Sequence, residues 1–91
     1  MHAVVVTVRI EPGHEQEAIE QLHARVVPTV QQTPGAVAGY WLSAKEGRGL
    51  SVVVFESEEA AQAQAERVPN MPRSEFVTFE NIEVREVVAN F

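Results

Sequence analysis

The sequence predicts an α+β domain of the ferredoxin-like type, with a four-stranded antiparallel sheet and two helices on one face in the order βαββαβ. Segments rich in β-branched residues alternate with segments of helical period or composition, and Pro and Gly residues separate them. A chain of 91 residues, of which 45% are hydrophobic and 22% charged, has the size and composition of one globular domain. We therefore expect residues 1–91 to form a single ferredoxin-like domain.

The first half of the chain supplies a strand, a helix and a second strand. Residues 2–10 are mostly β-branched, which favours a strand that ends at a Pro-Gly turn. From residue 14 the apolar residues recur at steps of three and four, the period of an amphipathic helix. Pro28 lacks a backbone donor and predicts a kink, or the end of the regular helix, near Val27. Residues 37–44 then form the second strand.

The second half repeats this order. A polar loop with two glycines predicts a hairpin into a third strand at residues 50–55. Ser57 is a suitable N-cap for an alanine-rich helix that runs to about Val68, with two glutamates in its first turn. Residues 76–89 form a long final strand whose length allows a β-bulge.

Charge and composition exclude several classes of function. The chain has 13 acidic and 7 basic residues, a formal charge of −6 and no basic stripe, so we expect it to bind neither nucleic acid nor an anionic membrane. The absence of cysteine excludes disulfides, thiolate catalysis and cysteine-ligated metals. The apolar runs are too short to span a membrane and no signal-peptide pattern is present, so a cytoplasmic location is expected.

The histidines do not have the spacing of a metal site. His14 and His23 are nine residues apart on one helix, about two and a half turns, which is too far to share an ion. No Ser/His/Asp group, phosphate-binding loop or paired-carboxylate motif occurs in the sequence. We therefore predict neither a metal nor a cofactor.

The strands predict a homodimer. Two helices cover only one face of a sheet, yet residues 4–6 and residues 52–55 are consecutive apolar residues, which place hydrophobic side chains on both faces. A second copy packed sheet to sheet is the simplest way to cover the other face. The alternative is a monomer with a patchy exposed face.

The chain resembles a known superfamily over nearly its whole length, and two segments carry the resemblance. The first is the Pro-Gly pair followed by Tyr40 and Trp41, and the second is the strand-to-helix junction at residues 54–60. These segments and the element order resemble the dimeric α/β-barrel superfamily, and within it the antibiotic biosynthesis monooxygenase-like domains. The resemblance implies a dimeric barrel with a ligand cleft between the helices and the sheet of each protomer. It also implies an activity among those of cofactor-independent monooxygenases, haem-degrading enzymes or isomerases.

The chain departs from the catalytic members that it resembles. Those members carry an asparagine on the first strand, where this chain has Val6, and a tryptophan before the second helix, where it has Phe55. They often carry a histidine or tryptophan within that helix, where this chain has Gln64. These differences weigh against haem degradation and against the monooxygenase reaction.

Two residues are candidates for catalysis. On a helical wheel His23 lies about 40° from Ile19, so it would face the cleft and serve as a base. Arg9, on the first strand, would stabilise an anionic intermediate if its face of the strand looks into the cleft. The alternatives are a histidine bonded to backbone or water, and an arginine that is solvated or paired with a glutamate.

Four residues are candidates for ligand binding: Thr7, Tyr40, Trp41 and Met71. Tyr40 and Trp41 are adjacent on one strand and must point to opposite faces, so one of them lines the cleft. Thr7 shares a face with Arg9, and Met71 would cap the cleft from its loop. Ordinary packing in the core or at an interface is the alternative for the aromatic pair.

Three functional hypotheses follow. The first is a binding protein for a small apolar or aromatic molecule. The second is a cofactor-independent monooxygenase or isomerase with His23 as base and Arg9 as anion stabiliser. It requires His23 and at least one of Arg9, Tyr40 or Trp41 to converge on a solvent-reachable cavity. The third is a purely structural dimer, which would have no cavity.

Overall fold

The structure is a computed structural model that describes residues 1–71 and 73–91. Its strands are His2–Ile10 (β1), Ala36–Lys45 (β2), Arg48–Phe55 (β3) and Val77–Glu86 (β4). Its α-helices are Glu15–Gln21 (α1), Val27–Gln31 (α2) and Glu58–Arg67 (α3). A π-helical turn, Leu22–Val26, joins α1 to α2, and a 3₁₀ turn, Val68–Asn70, follows α3. The predicted βαββαβ order is confirmed, with residues 15–31 as the first helical segment.

All four strands form one antiparallel sheet in the order β2-β3-β1-β4. Val4 of β1 pairs with Val53 on one side and with Val84 on the other, which fixes the central register. The hairpin between β2 and β3 turns through Glu46 and Gly47, whose φ angles of 54° and 78° are both left-handed. This is the geometry of a two-residue turn that matches the twist of the strands.

The core lies between the sheet and the helices. It is built around Phe55, which is 0% exposed, together with apolar residues of β1, β3 and both helical segments. The other buried members of this cluster are Val4, Val6, Val30, Val53, Ala61 and Val68. Burial of Phe55 contributes about 1.5–3 kcal/mol to the stability of the fold.

The π-helical turn determines which residues of the first helical segment face the sheet. Ala18, Leu22, Val26 and Val30 all line the helix side of the sheet although they are four residues apart. On a regular helix that spacing drifts by about 40° per step, or about 120° in all. One wider turn takes about one extra residue and removes most of this drift. Pro28 lies at the start of α2, directly after the π-helical turn. The irregular part of this segment therefore lies just before the proline, whereas the sequence predicted a kink or an end of the regular helix near Val27.

The start of α3 follows the sequence prediction. Ser57 is its N-cap, with extended backbone, and its hydroxyl accepts a hydrogen bond from the backbone N–H of Ala60 at 3.1 Å. Glu58 and Glu59 lie in the first turn, where the helix dipole favours negative charge.

The predicted bulge in the last strand is confirmed. The pairing of β1 with β4 passes from Thr7–Asn81 to Val8–Phe79, which leaves Glu80 without a partner on β1. A bulge of this kind bends a strand and redirects the side chains on either side of it.

The face of the sheet opposite the helices, called here the open face, carries exposed apolar side chains. Tyr40, Leu42 and Leu50 are 61%, 52% and 37% exposed. Along β4 the same face is polar, with Asn81 and Glu83 paired to Thr7 and Val5. Among the described residues, no helix is long and apolar enough to cross a membrane.

Candidate functional site

A groove with a volume of about 440 Å³ lies between the first helical segment and the sheet. Its floor is the helix-facing side of β1, formed by Val4, Val6, Val8 and Ile10, and Val53 of β3 continues it. Phe79 of β4 and residues of the loop before it close one side. Clefts of this size with mainly apolar walls are the usual sites of small ligands.

Trp41 lines both this groove and a smaller adjoining cavity. Its indole lies over Gly39, where a Cβ atom would come within 2.9 Å of the ring. Glycine at this position therefore lets the ring lie against its own strand. The groove consequently has a flat aromatic surface on the helix-facing side of β2.

Gln64 is the buried polar side chain of the groove. It lies on α3, is 5% exposed and lines the cavity. Its Oε1 accepts hydrogen bonds from Nε and Nη2 of Arg67 at 3.3 and 3.0 Å. Its Nε2 contacts the sulfur of Met71 at 3.8 Å. The amide is therefore held between an exposed cation and a residue of the groove wall.

Charged side chains contribute to the lining as well. These residues are Glu15, Glu17, Glu20, Glu75, Arg25 and Arg73. All six are exposed, so they lie at the rim and not on the floor. Within residues 1–71 and 73–91, no group of three His, Cys, Asp or Glu side chains could hold a metal ion.

Two of the predicted ligand-binding residues line the groove. Trp41 forms part of its wall and Met71 borders it beside Gln64. The strand alternation also decides between the two aromatic residues, because Trp41 faces the helices and Tyr40 lies on the open face.

His23 lies outside the groove, so its predicted placement is wrong. The side chain is exposed and does not line the cavity, whereas Arg25 does. The wheel assumed 3.6 residues per turn and a stripe centred on Ile19, but Ile19 is 40% exposed at the edge of the groove and the buried residue is Ala18. Within the π-helical turn, His23 is one residue past Leu22 and so points sideways to solvent.

Thr7, Arg9 and Tyr40 lie on the open face. The placement of Thr7 and Arg9 in the cleft is therefore wrong, whereas Tyr40 takes the outward position that was one of its two alternatives. The even-numbered residues of β1 line the groove, and the odd-numbered ones must therefore face away. Arg9 instead pairs with the bulge residue Glu80, at 3.0 Å from its Nη2. Of the alternatives for Arg9, an ion pair with a glutamate is the one observed, and the sequence had not singled out Glu80 as its partner.

Glu80 joins two arginines on the open face. Nε of Arg48 donates to its carboxylate at 2.9 Å, and Nε of Arg9 donates at 3.1 Å. The hydrogen bond from Arg48, together with the charges of both guanidinium groups, lowers the pKa of Glu80 in spite of partial desolvation.

The positions at which the chain departs from catalytic relatives have three different environments. Val6 lies on the groove floor, Phe55 is enclosed in the core and does not line the groove, and Gln64 is the buried amide. From the sequence, Gln64 was identified only as a position where catalytic members carry a histidine or tryptophan. Its spacing of three residues from Arg67 was the pattern that could have identified an oriented amide.

The sequence profile of the antibiotic biosynthesis monooxygenase family matches residues 1–67. No curated protein matches the chain significantly. Solved structures do resemble it, and three of them illustrate the range of proteins that share this fold.

The heme-degrader MhuD from Mycobacterium tuberculosis, with two hemes in its active site, has 22% identity and a TM-score of 0.78, covering 100% of this chain and 99% of that chain. SnoaB from Streptomyces nogalater, a cofactor-independent oxygenase, has 19% identity and a TM-score of 0.65, covering 98% and 95%. A dimeric ferredoxin-like protein from an uncultured marine organism has 14% identity and a TM-score of 0.68, covering 100% and 98%.

The TM-scores of these three structures establish the shared fold. The profile match extends over more than half of the 91 residues, and the observed fold is the one that the resemblance implied. The chain therefore belongs to the antibiotic biosynthesis monooxygenase family.

Proposed function

We propose that the protein binds a small, flat and largely apolar molecule in the groove between the helices and the sheet. The observation that supports this most directly is the cavity of about 440 Å³, with a valine-rich floor and Trp41 on its wall. Apolar contact and offset stacking on the indole supply the attraction for an aromatic ligand. The purely structural hypothesis required a filled interior, and the groove argues against it.

The open face supports a second part of the proposal, a homodimer that packs sheet to sheet. Tyr40, Leu42 and Leu50 form an exposed apolar set on neighbouring strands β2 and β3. Leu42 and Leu50 also border the groove, but the pairing of Leu42 with Leu50, and of Leu50 with Thr7, places their side chains on the open face. Packing two such faces around a twofold axis buries each set against the other. The groove of each protomer lies on the opposite side of its sheet and stays accessible.

Haem is bound by MhuD, and haem iron prefers a particular set of protein ligands. Those ligands are imidazole, thiolate, phenolate and, in some proteins, thioether. Among the described residues, the lining includes no His, Cys or Tyr, and the sulfur of Met71 is already contacted by Gln64. The groove does not fit haem as a ligated group, and we derive no step through it.

A cofactor-independent oxygenase is the second candidate, and the family membership favours it. Its earlier form, with His23 as base and Arg9 as anion stabiliser, does not suit this groove because neither residue lines it. The charged groups that line the groove are four rim carboxylates, such as Glu75, and two rim arginines. An oxygenase here would act on a substrate that ionises readily, with a rim carboxylate or solvent taking its proton.

Fluorescence of Trp41 tests ligand binding, since this is the single tryptophan of the chain. We expect a saturable change when flat phenols and quinones are added. Val8→Phe extends a groove-floor residue into the cavity and should weaken binding, whereas Val88→Phe, in a position that is 88% exposed, should not. An unchanged affinity in Val8→Phe would contradict binding in this groove.

Oxygen consumption by the same mixtures separates the two candidates. Uptake of oxygen that requires the protein and is lost in Val8→Phe would favour the oxygenase. Saturable binding without oxygen uptake would favour the binding protein.

A further inference from the structure

The orientation of the Gln64 amide is fixed by its neighbour. The guanidinium of Arg67 has only donors, so the oxygen of the amide must face it, as the contacts at 3.0 and 3.3 Å require. The NH₂ group must then point the other way, toward Met71 and the groove. The groove is therefore presented with a hydrogen-bond donor and not with an acceptor.

This donor is poorly satisfied within the protein. Nε2 carries two hydrogens, and its contact among the described residues is the thioether of Met71 at 3.8 Å. A thioether is a weak acceptor, and among residues 1–71 and 73–91 at least one N–H of this amide has no oxygen partner, in a side chain that is only 5% exposed. Buried donors are usually paired with protein or ordered water, so an acceptor on a molecule in the groove would complete the bonding of this one.

The charge around the groove favours a neutral acceptor. Four glutamates at the rim outnumber two arginines, which disfavours the approach of an anion. Transfer of a carboxylate onto the apolar floor would also carry a large desolvation cost. A ketone or quinone oxygen accepts a hydrogen bond without either penalty.

We propose that Gln64 is a specificity-determining residue that donates a hydrogen bond to the carbonyl oxygen of a flat ketone or quinone, and that Arg67 is its positioning residue. This inference rests on the proposed binding of flat apolar molecules in the groove. It adds a substrate class and a direction, with the carbonyl end of the ligand toward α3.

The test compares fluorene with 9-fluorenone, which differ by one carbonyl, in calorimetric titrations of the whole chain. One hydrogen bond to a neutral acceptor predicts that the ketone binds about three- to tenfold more tightly. Gln64→Leu should bring this ratio close to one, while Gln62→Leu, an exposed position on the same helix, should leave it unchanged. Arg67→Met keeps the amide but frees its rotation, and should lower the ratio without abolishing it.

Thermal unfolding monitored by circular dichroism confirms that each variant is folded, and Arg67→Met carries the test if Gln64→Leu does not fold. Equal affinity of the wild type for both ligands would overturn the inference and leave the proposed groove binding intact. A ketone preference that persists in Gln64→Leu would also overturn it. Failure of the wild type to bind either ligand would instead contradict the proposed function itself.

Discussion

Replacement of Tyr40 by alanine should dissociate the proposed homodimer. Tyr40 is 61% exposed on the open face, so about 90–150 Å² of the 150–250 Å² typical of an aromatic side chain is accessible. Burial of that area at about 25 cal/mol per Å² contributes about 2–4 kcal/mol in each protomer. In an isologous interface the change occurs twice, so the cost is about 4–7 kcal/mol, or about 10³ to 10⁵ in the dissociation constant.

Sedimentation equilibrium over a dilution series measures this constant. The wild type should be dimeric at micromolar concentration, and Tyr40→Ala should be monomeric over the same range. Tyr40→Phe retains the apolar area and should stay dimeric, and Val88→Ala removes exposed apolar area from the C-terminal end without effect. A monomeric wild type, or a Tyr40→Ala variant that dimerises equally well, would refute the assignment of the open face as the interface.

Three further predictions address the bulge, the groove and the second helix. Ionised Glu80 should stabilise the fold fully above its usual pKa of 4.5, and this stabilisation should be lost as the pH falls through its lowered pKa in the folded state. Thermal melts should therefore show a stability difference between wild type and Glu80→Gln that shrinks as the pH is lowered below 4.5. Gln64→His would place an imidazole in the groove and should produce a shifted Soret band with added hemin, which the wild type should not show. Ser57→Ala should lower the free energy of unfolding by about 1 kcal/mol in urea titrations, and retention of full stability would argue against the observed cap.

The sequence predicted most of the secondary structure because each element has a local cause. β-branched runs, a Ser N-cap and Pro-Gly turns depend on residues close together in the chain, and β1 begins and ends where they indicate. The π-helical turn was only partly predictable, because Pro28 indicated an irregularity near Val27 but not its form. It arises because residues spaced by four, from Ala18 to Val30, all pack against one sheet, and only the tertiary contact shows this.

The site was harder to predict than the fold because it depends on which face of a strand or helix each side chain occupies. An error of one residue in the assumed alternation or helical period moves a side chain to the wrong face. In β1 a shift of one residue exchanges Val8 for Arg9 on the groove floor. In the first helical segment, one wider turn brings Arg25 and not His23 to the groove. The sequence showed that Tyr40 and Trp41 point to opposite faces of β2, but deciding which one faces the groove required the pairing of β2 with β3.

The changes at Val6, Phe55 and Gln64 have a common chemical consequence. The resemblance implies an asparagine, a tryptophan, and a histidine or tryptophan at these positions, and the chain has a floor valine, a core phenylalanine and a neutral amide. The groove thus keeps its apolar area and one oriented donor, while its charged residues lie at the rim. On the proposed function, such a site would bind its ligand by apolar contact and one hydrogen bond. If it also supports oxygenation, the reactivity must come largely from the substrate, which limits the choice to molecules that are already acidic and electron-rich.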